Sequence, residues 1–186
     1  MNGTIRKDSA YRLPLMGGAA LAALLAATPL QAGESALGYM NMGVAAADVE
    51  ALDTGVTGIL GLGFPMPGID PRLSLEGEFS KSVFGARGRD FQGFDDSRER
   101  FNYFTLSGYA TYHLPVATDV DLRGRGGMTY LDWDFGGVSS DEIGLSIGVG
   151  ATYRLSRDMN LLGDLTIMET SPDVNHFTVG VQYRLD

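Results

Sequence analysis

The side chains best equipped for chemistry in this 186-residue chain are acids and arginines set two residues apart. Glu76 and Glu78 form one such pair and Arg123 and Arg125 another, while Arg154, Asp164 and Arg184 stand singly in similar surroundings. Residues two apart share one side of an extended chain. If that side faces an interior, both signs must pair there, because an isolated buried charge is strongly penalised. Paired charges can simply fill and specify an interior, or they can exchange partners and gate a narrow path for water or ions. Catalysis and metal binding have far less to work with. The chain has two histidines, His113 and His176, and no cysteine. His176-Phe177-Thr178 puts Thr where a His-x-Ser pair needs Ser, and no flanking motif supports it. A metal site would need a cluster of His or Cys. The acids Asp90 and Asp95-Asp96 could touch divalent ions, but such runs are usually solvated loop. Gly124-Arg125-Gly126-Gly127 and Gly148-Val149-Gly150 lie within extended segments with no helix to follow, so they are not phosphate loops. No catalytic residue, metal or cofactor is therefore expected, and the chain reads as a non-enzyme.

The elements that must position these charges have period two, the mark of strands with unlike faces. In one segment Leu73, Leu75, Gly77 and Phe79 alternate with Ser74, Glu76, Glu78 and Ser80. In another, Ile143, Leu145, Ile147, Val149, Ala151, Tyr153 and Leu155 alternate with Gly144, Ser146, Gly148, Gly150, Thr152 and Arg154. Phe177, Val179, Val181, Tyr183 and Leu185 oppose His176, Thr178, Gly180, Gln182 and Arg184 in the last. Similar patterns cover Phe104–Leu114, Val120–Tyr130 and a shorter Leu161–Ile167, with weaker ones at Gly55–Phe64 and Leu37–Ala46. That makes eight segments. Several approach the ~9–11 residues that a tilted strand needs to cross a bilayer.

The connections alternate in kind. Pro65–Pro71, Pro115–Asp119 and Ser156–Asp158 are short; Lys81–Arg100, Asp132–Glu142 and Glu169–Asn175 are longer and polar. Outer-membrane barrels sort their connections this way, with the short turns periplasmic. Aromatics should then collect on the apolar face at both membrane levels. Phe64, Tyr112, Tyr153 and Tyr183 stand at the short-turn ends, and Phe79, Phe104, Tyr130 and Phe177 at the others. The expected architecture is all-β: an eight-stranded antiparallel up-and-down transmembrane barrel.

Residues 1–32 read as a cleaved secretory signal peptide, and 33–186 as the barrel domain. Arg6, Lys7 and Arg12 precede an apolar stretch from about Leu13 to Ala27, then Pro29 and the small residue Ala32. The formal net charge of −9 disfavours nucleic acid, which needs clustered Lys and Arg. Absence of cysteine removes disulfides as a source of stability.

Thr178-Val179-Gly180-Val181-Gln182-Tyr183-Arg184-Leu185 resembles the C-terminal signal read by the outer-membrane assembly machinery. Thr178, Gly180, Tyr183 and Leu185 fill its key positions; Leu185 stands in place of a terminal aromatic, and Asp186 follows it. Arg72-Leu73-Ser74-Leu75-Glu76-Gly77-Glu78-Phe79 is similar to the third strand of the OmpA/OmpX-type small outer-membrane β-barrel superfamily. That resemblance spans nearly all of residues 33–186. It implies a porin-like, OmpA-like barrel of the Gram-negative cell envelope, exported through the periplasm, monomeric, and in contact with bilayer and lipopolysaccharide. Its lumen would hold Glu76, Glu78, Arg123, Arg125, Arg154, Asp164 and Arg184, and would be polar and plugged, since eight strands enclose little more than their own side chains.

The expected role is structural or surface interaction, with the 81–100 loop as the ligand-facing element: Phe84, Arg87, Arg89, Phe91, Phe94 and Arg98 are its candidate contacts. The alternatives are a narrow ion or solute channel gated by the Glu/Arg pairs, a lipid-modifying barrel enzyme, and a soluble lipocalin-like barrel with its apolar face inward.

Overall fold

Alternation of polar and apolar side chains commits each segment to a strand with two unlike faces, and pairing all of them leaves one closed sheet. The computed structural model describes residues 37–49, 54–84, 86–87, 100–135 and 138–185; the proposed leader lies outside them. Among the described residues nine strands follow one another: β1 (Gly38–Val49), β2 (Gly55–Pro65), β3 (Leu73–Phe84), the two-residue β4 (Ala86–Arg87), β5 (Arg100–Ala117), β6 (Val120–Phe135), β7 (Val138–Arg154), β8 (Met159–Glu169) and β9 (Val174–Leu185). Every long strand is antiparallel to its neighbours in the chain. Pairing of β1 with β9 joins the two ends of the described chain, and β3 with β5 closes the ring across β4. The result is an eight-stranded antiparallel barrel, with β4 as an addition on the edge of β5. No helix in the described residues is long and apolar enough to cross a membrane, which says nothing of crossing by strands.

The register sorts the side chains. Val44, Leu62, Leu122, Ile147, Val149, Leu165 and Val179 point outward and stay exposed, Val149 at 64%. Asn41, Ser74, Glu76, Thr105, Ser107, Arg123, Thr129, Ser146, Asp164 and Thr166 point inward and are buried. An apolar outside around a polar inside inverts the arrangement of a soluble protein, in which exposed apolar patches stay small. It is therefore the wrong way round for a lipocalin-like barrel.

The strands run further than the alternation indicated. The expected Asp132–Glu142 loop is mostly sheet: Asp132, Trp133, Asp134 and Phe135 pair with Asp141, Ser140, Ser139 and Val138. Likewise β3 continues to Phe84, β9 begins at Val174, and β4 lies inside the expected 81–100 loop, most of which is outside the described residues. The physical reason is that these stretches rise past the apolar belt. With water on a face that would otherwise meet lipid, nothing there demands alternation.

Candidate functional site in the barrel lumen

Five of the seven expected lumenal charges meet in the half of the barrel nearer the short turns. The Arg123 Nη2 donates to both carboxylate oxygens of Glu76, at 3.0 and 2.7 Å. Arg125 Nη1 donates to Glu78 Oε2 at 2.6 Å and lies 3.8 Å from Glu76 Oε2. Asp164 sits between the two guanidiniums, 3.3 Å from Arg123 Nε and 4.0 Å from Arg125 Nη1. The Arg125 Nη2 donates to Thr166 Oγ1 at 2.5 Å, and its guanidinium lies over the Tyr109 ring, 4.4 Å from the centroid. The Tyr39 hydroxyl donates to Glu76 at 2.5 Å and lies 3.2 Å from His113 Nε2. Gly150 makes room for this group: a Cβ there would collide with the Asp164 carboxylate.

Arg154 and Arg184 do not join them. Both are exposed near the short-turn ends of β7 and β9, so their inclusion in the lumenal set is corrected. Each has inward parity, but each lies beyond the point where the wall encloses an interior.

Three carboxylates thus face two guanidiniums with almost no access to solvent. Several polar atoms have no hydrogen-bond partner among the described residues: Glu78 Oε1, Arg123 Nη1, Arg125 Nε and Thr111 Oγ1. Such buried atoms are normally satisfied by protein or ordered water.

The other half of the lumen is of a different kind. Ala47, Val49, Phe101, Leu131, Met168 and Val174 pack together with Tyr103, each 5% exposed or less, and Trp133 lies against them. Phe101 stacks on Trp133 with ring centroids 5.7 Å apart. The lumen expected to be polar therefore also holds an apolar cluster away from the short turns, beside the buried Thr57, Thr170 and His176. The signal for the residues of that cluster lies in the parity of the strands rather than in their apolar faces. Phe101 continues the inward parity of Tyr103 and Thr105, Leu131 that of Thr129, and Met168 that of Thr166. Strand ends set by the outward apolar alternation alone stop short of these positions. Between the two halves, the Tyr103 hydroxyl binds Thr57 Oγ1 at 2.6 Å and His176 Nε2 at 2.7 Å.

The remaining expected positions lie on the wall. Phe79, Phe104 and Tyr130 form a run of neighbouring rings across β3, β5 and β6, with centroids 6.3 and 6.1 Å apart. Phe177, Tyr112, Tyr153 and Tyr183 point outward and are exposed, and Phe64 is half-buried. Within β9, Thr178 points inward, Tyr183 outward, and Leu185 pairs with Gly38. Gly180 lies opposite Gly43 on β1, where a Cβ would collide with the Met42 carbonyl. Glycine there permits close approach at the β1–β9 seam. Among the described residues no group of three or more His, Asp or Glu is placed to hold a metal.

An apolar belt, a closed antiparallel wall and a buried ionic interior are the features of a membrane-spanning barrel. Residues 17–184 match the family model of the outer membrane protein beta-barrel domain, and the chain belongs to that family. It is a protein of the outer membrane and sits in the lipid bilayer. No curated protein matches it. Among solved structures it is similar to Neisserial surface protein A, at 15% identity and TM-score 0.58, over 80% of this chain and 97% of that one. It is also similar to Ail, the attachment invasion locus protein of Yersinia pestis, solved with the heparin analogue sucrose octasulfate (15% identity, TM-score 0.53, 80% and 99% covered). The N-terminal β-barrel of Pseudomonas aeruginosa OprF is a third (11% identity, TM-score 0.56, 81% and 98% covered). At these identities the likeness is one of fold.

Proposed function

We propose that this protein is a structural and surface-interaction barrel whose lumen is sealed, so that its work is done on the outer face. The observation that carries this reading is the pairing of two barriers in series. Cross-linked charges fill one half of the lumen and packed apolar side chains fill the other. An ion crossing it would need to break buried ion pairs and then pass a cluster of packed apolar side chains, and both steps are penalised. The short turns face the periplasm, as in other outer-membrane barrels. The leader 1–32 is removed on export, Thr178, Gly180, Tyr183 and Leu185 present the last strand to the assembly machinery, and the aromatic positions anchor the barrel as a monomer at the two headgroup levels. The outer loops, 81–100 foremost, meet lipopolysaccharide and surface ligands. Catalysis is not part of this reading: His176 is buried, with its Nε2 engaged by Tyr103.

The test is planar-bilayer conductance of the refolded protein, with folding checked by heat-modifiable gel migration. A folded barrel without conductance supports the sealed lumen; discrete openings of the unaltered protein would overturn it.

A second reading, a narrow channel gated by exchange among the Glu/Arg pairs, has one observation in its favour. Arg125 Nη1 lies 2.6 Å from Glu78 Oε2 and 3.8 Å from Glu76 Oε2, so one guanidinium has two carboxylates within reach of exchange. If it holds, Glu76→Gln or Glu78→Gln will change the unitary conductance of channels already present in the unaltered protein.

A further inference from the structure

Three neighbouring strands are longer than the rest, and β7 runs from Val138 to Arg154. It pairs with β6 along its whole length, from Val138 opposite Phe135 to Tyr153 opposite Val120. Its pairing with β8 begins only at Leu145, opposite Glu169, because β8 ends there. On that side Val138–Ile143 has no strand partner among the described residues. The β8–β9 turn reaches the lower end of this stretch, where the Ser171 N–H donates to a Glu142 carboxylate oxygen at 3.0 Å. The opposite margin of the same raised sheet is covered, since β4 pairs with Arg100 and Phe101 of β5. The stretch is open to solvent: Val138 is 63% and Ile143 61% exposed. A free margin of this kind presents a row of unpaired N–H and C=O groups, ready to accept another strand.

We infer that Val138–Ile143 is a docking edge for an extended peptide segment of alternating apolar and basic residues, added as a further strand on the outer side of the membrane. The edge itself sets the chemistry of its partner. Ile143 and Asp141 point to the same outward face, with Asp132 directly across from Asp141 on β6 and Asp134 across from Ser139. Side chains opposite one another on paired strands interact, favourably for unlike charges and unfavourably for like ones. An incoming strand therefore gains from Lys or Arg on that outward face, beside Asp141 and, two positions further from the membrane, beside Ser139 with its neighbour Asp134, while apolar residues on its other face meet Val138. A second copy of this chain is a poor occupant, because antiparallel self-pairing would bring the two Asp141–Glu142 stretches together. The inference rests on the surface-interaction reading and names a partner for it at a place separate from the 81–100 loop.

The test uses the full folded chain in phospholipid nanodiscs and a capped, fluorescent peptide of alternating Val and Lys, read by anisotropy. A control peptide has the same composition with every second amide N-methylated, which keeps the charge and removes the strand-pairing N–H groups. Binding of the first, with the N-methylated peptide about tenfold weaker or worse, is the expected result. Ser139→Pro and Ser140→Pro should differ, because only one of the two N–H groups points to the open side; the variant at that position loses binding. Asp141→Lys leaves the backbone edge intact and should weaken the Val/Lys peptide about tenfold while favouring a Val/Glu peptide. Equal binding of the N-methylated peptide would overturn the proposal in favour of plain charge attraction. So would binding that appears only when residues 88–99 are deleted, since that segment would then be the occupant. Absence of binding overturns the docking edge alone, because the sealed lumen is judged separately by conductance.

Discussion

Around Arg125 every contact has a direction. Its guanidinium reaches Glu78, Thr166 and the face of Tyr109 at once, with Glu76 and Asp164 close by. The cluster that holds Leu131 is of another kind: Phe101, Met168, Val174 and Val49 belong to it as packed apolar side chains. Both groups fill the same lumen, a few residues apart along the same strands, and each is almost fully buried. The difference teaches that a narrow barrel can be filled either way, but with unlike tolerances. An ionic interior fails when one partner is lost, because the rest are left charged and dry. An apolar interior loses only the contact and gains a cavity.

The most severe way to probe that contrast is Arg125→Ala, which strands Glu78 and removes one of two cations from three carboxylates. A loss of about 3–5 kcal/mol is expected in urea unfolding from lipid vesicles. A loss below ~1 kcal/mol would mean that water already compensates the acids, and the contrast would collapse. Leu131→Ala should cost about 2–5 kcal/mol by the same measurement, scaling with the cavity it leaves. The outer wall supplies a third reference: Val149→Arg, midway along the apolar belt between Tyr153 and Ile143, should cost about 2–4 kcal/mol. Conservative swaps sharpen the comparison further. Leu131→Met should cost less than ~1.5 kcal/mol, since volume is kept and no direction is needed. Arg125→Lys should cost more than that, because an ammonium cannot serve Glu78 and Thr166 in fork geometry. The smallest effect belongs to the seam between the halves. Tyr103→Phe removes the hydroxyl held by Thr57 and His176, for about 1 kcal/mol.

The legible part of the molecule is the part where a bilayer imposes a rule. Lipid outside and a crowded interior force strict alternation, so the faces of β3, β7 and β9, and the inward direction of Glu76, Glu78, Arg123, Arg125 and Asp164, could be read residue by residue. Even the apolar group was written in the parity of Phe101, Leu131 and Met168, once the strands are followed to their true ends. Where the rule lapses, the pattern carries no such information. Above the belt Asp132–Glu142 looked like a loop because no face there must be apolar, and at the other end Arg154 and Arg184 kept inward parity after the wall had ceased to enclose anything.

Alternation by itself therefore determined the eight strands of the barrel wall, their two faces and the fold class, because those follow from local periodicity and the solvent on each side. It could not decide which arginine meets which acid. That depends on the stagger between strands, which brings Arg123 of β6 across the lumen to Glu76 of β3 and to Asp164 of β8. Nor could it decide that β7 outruns β8 and leaves Val138–Ile143 bare. An edge is a property of two strand lengths compared in register, and register exists only once the barrel has closed.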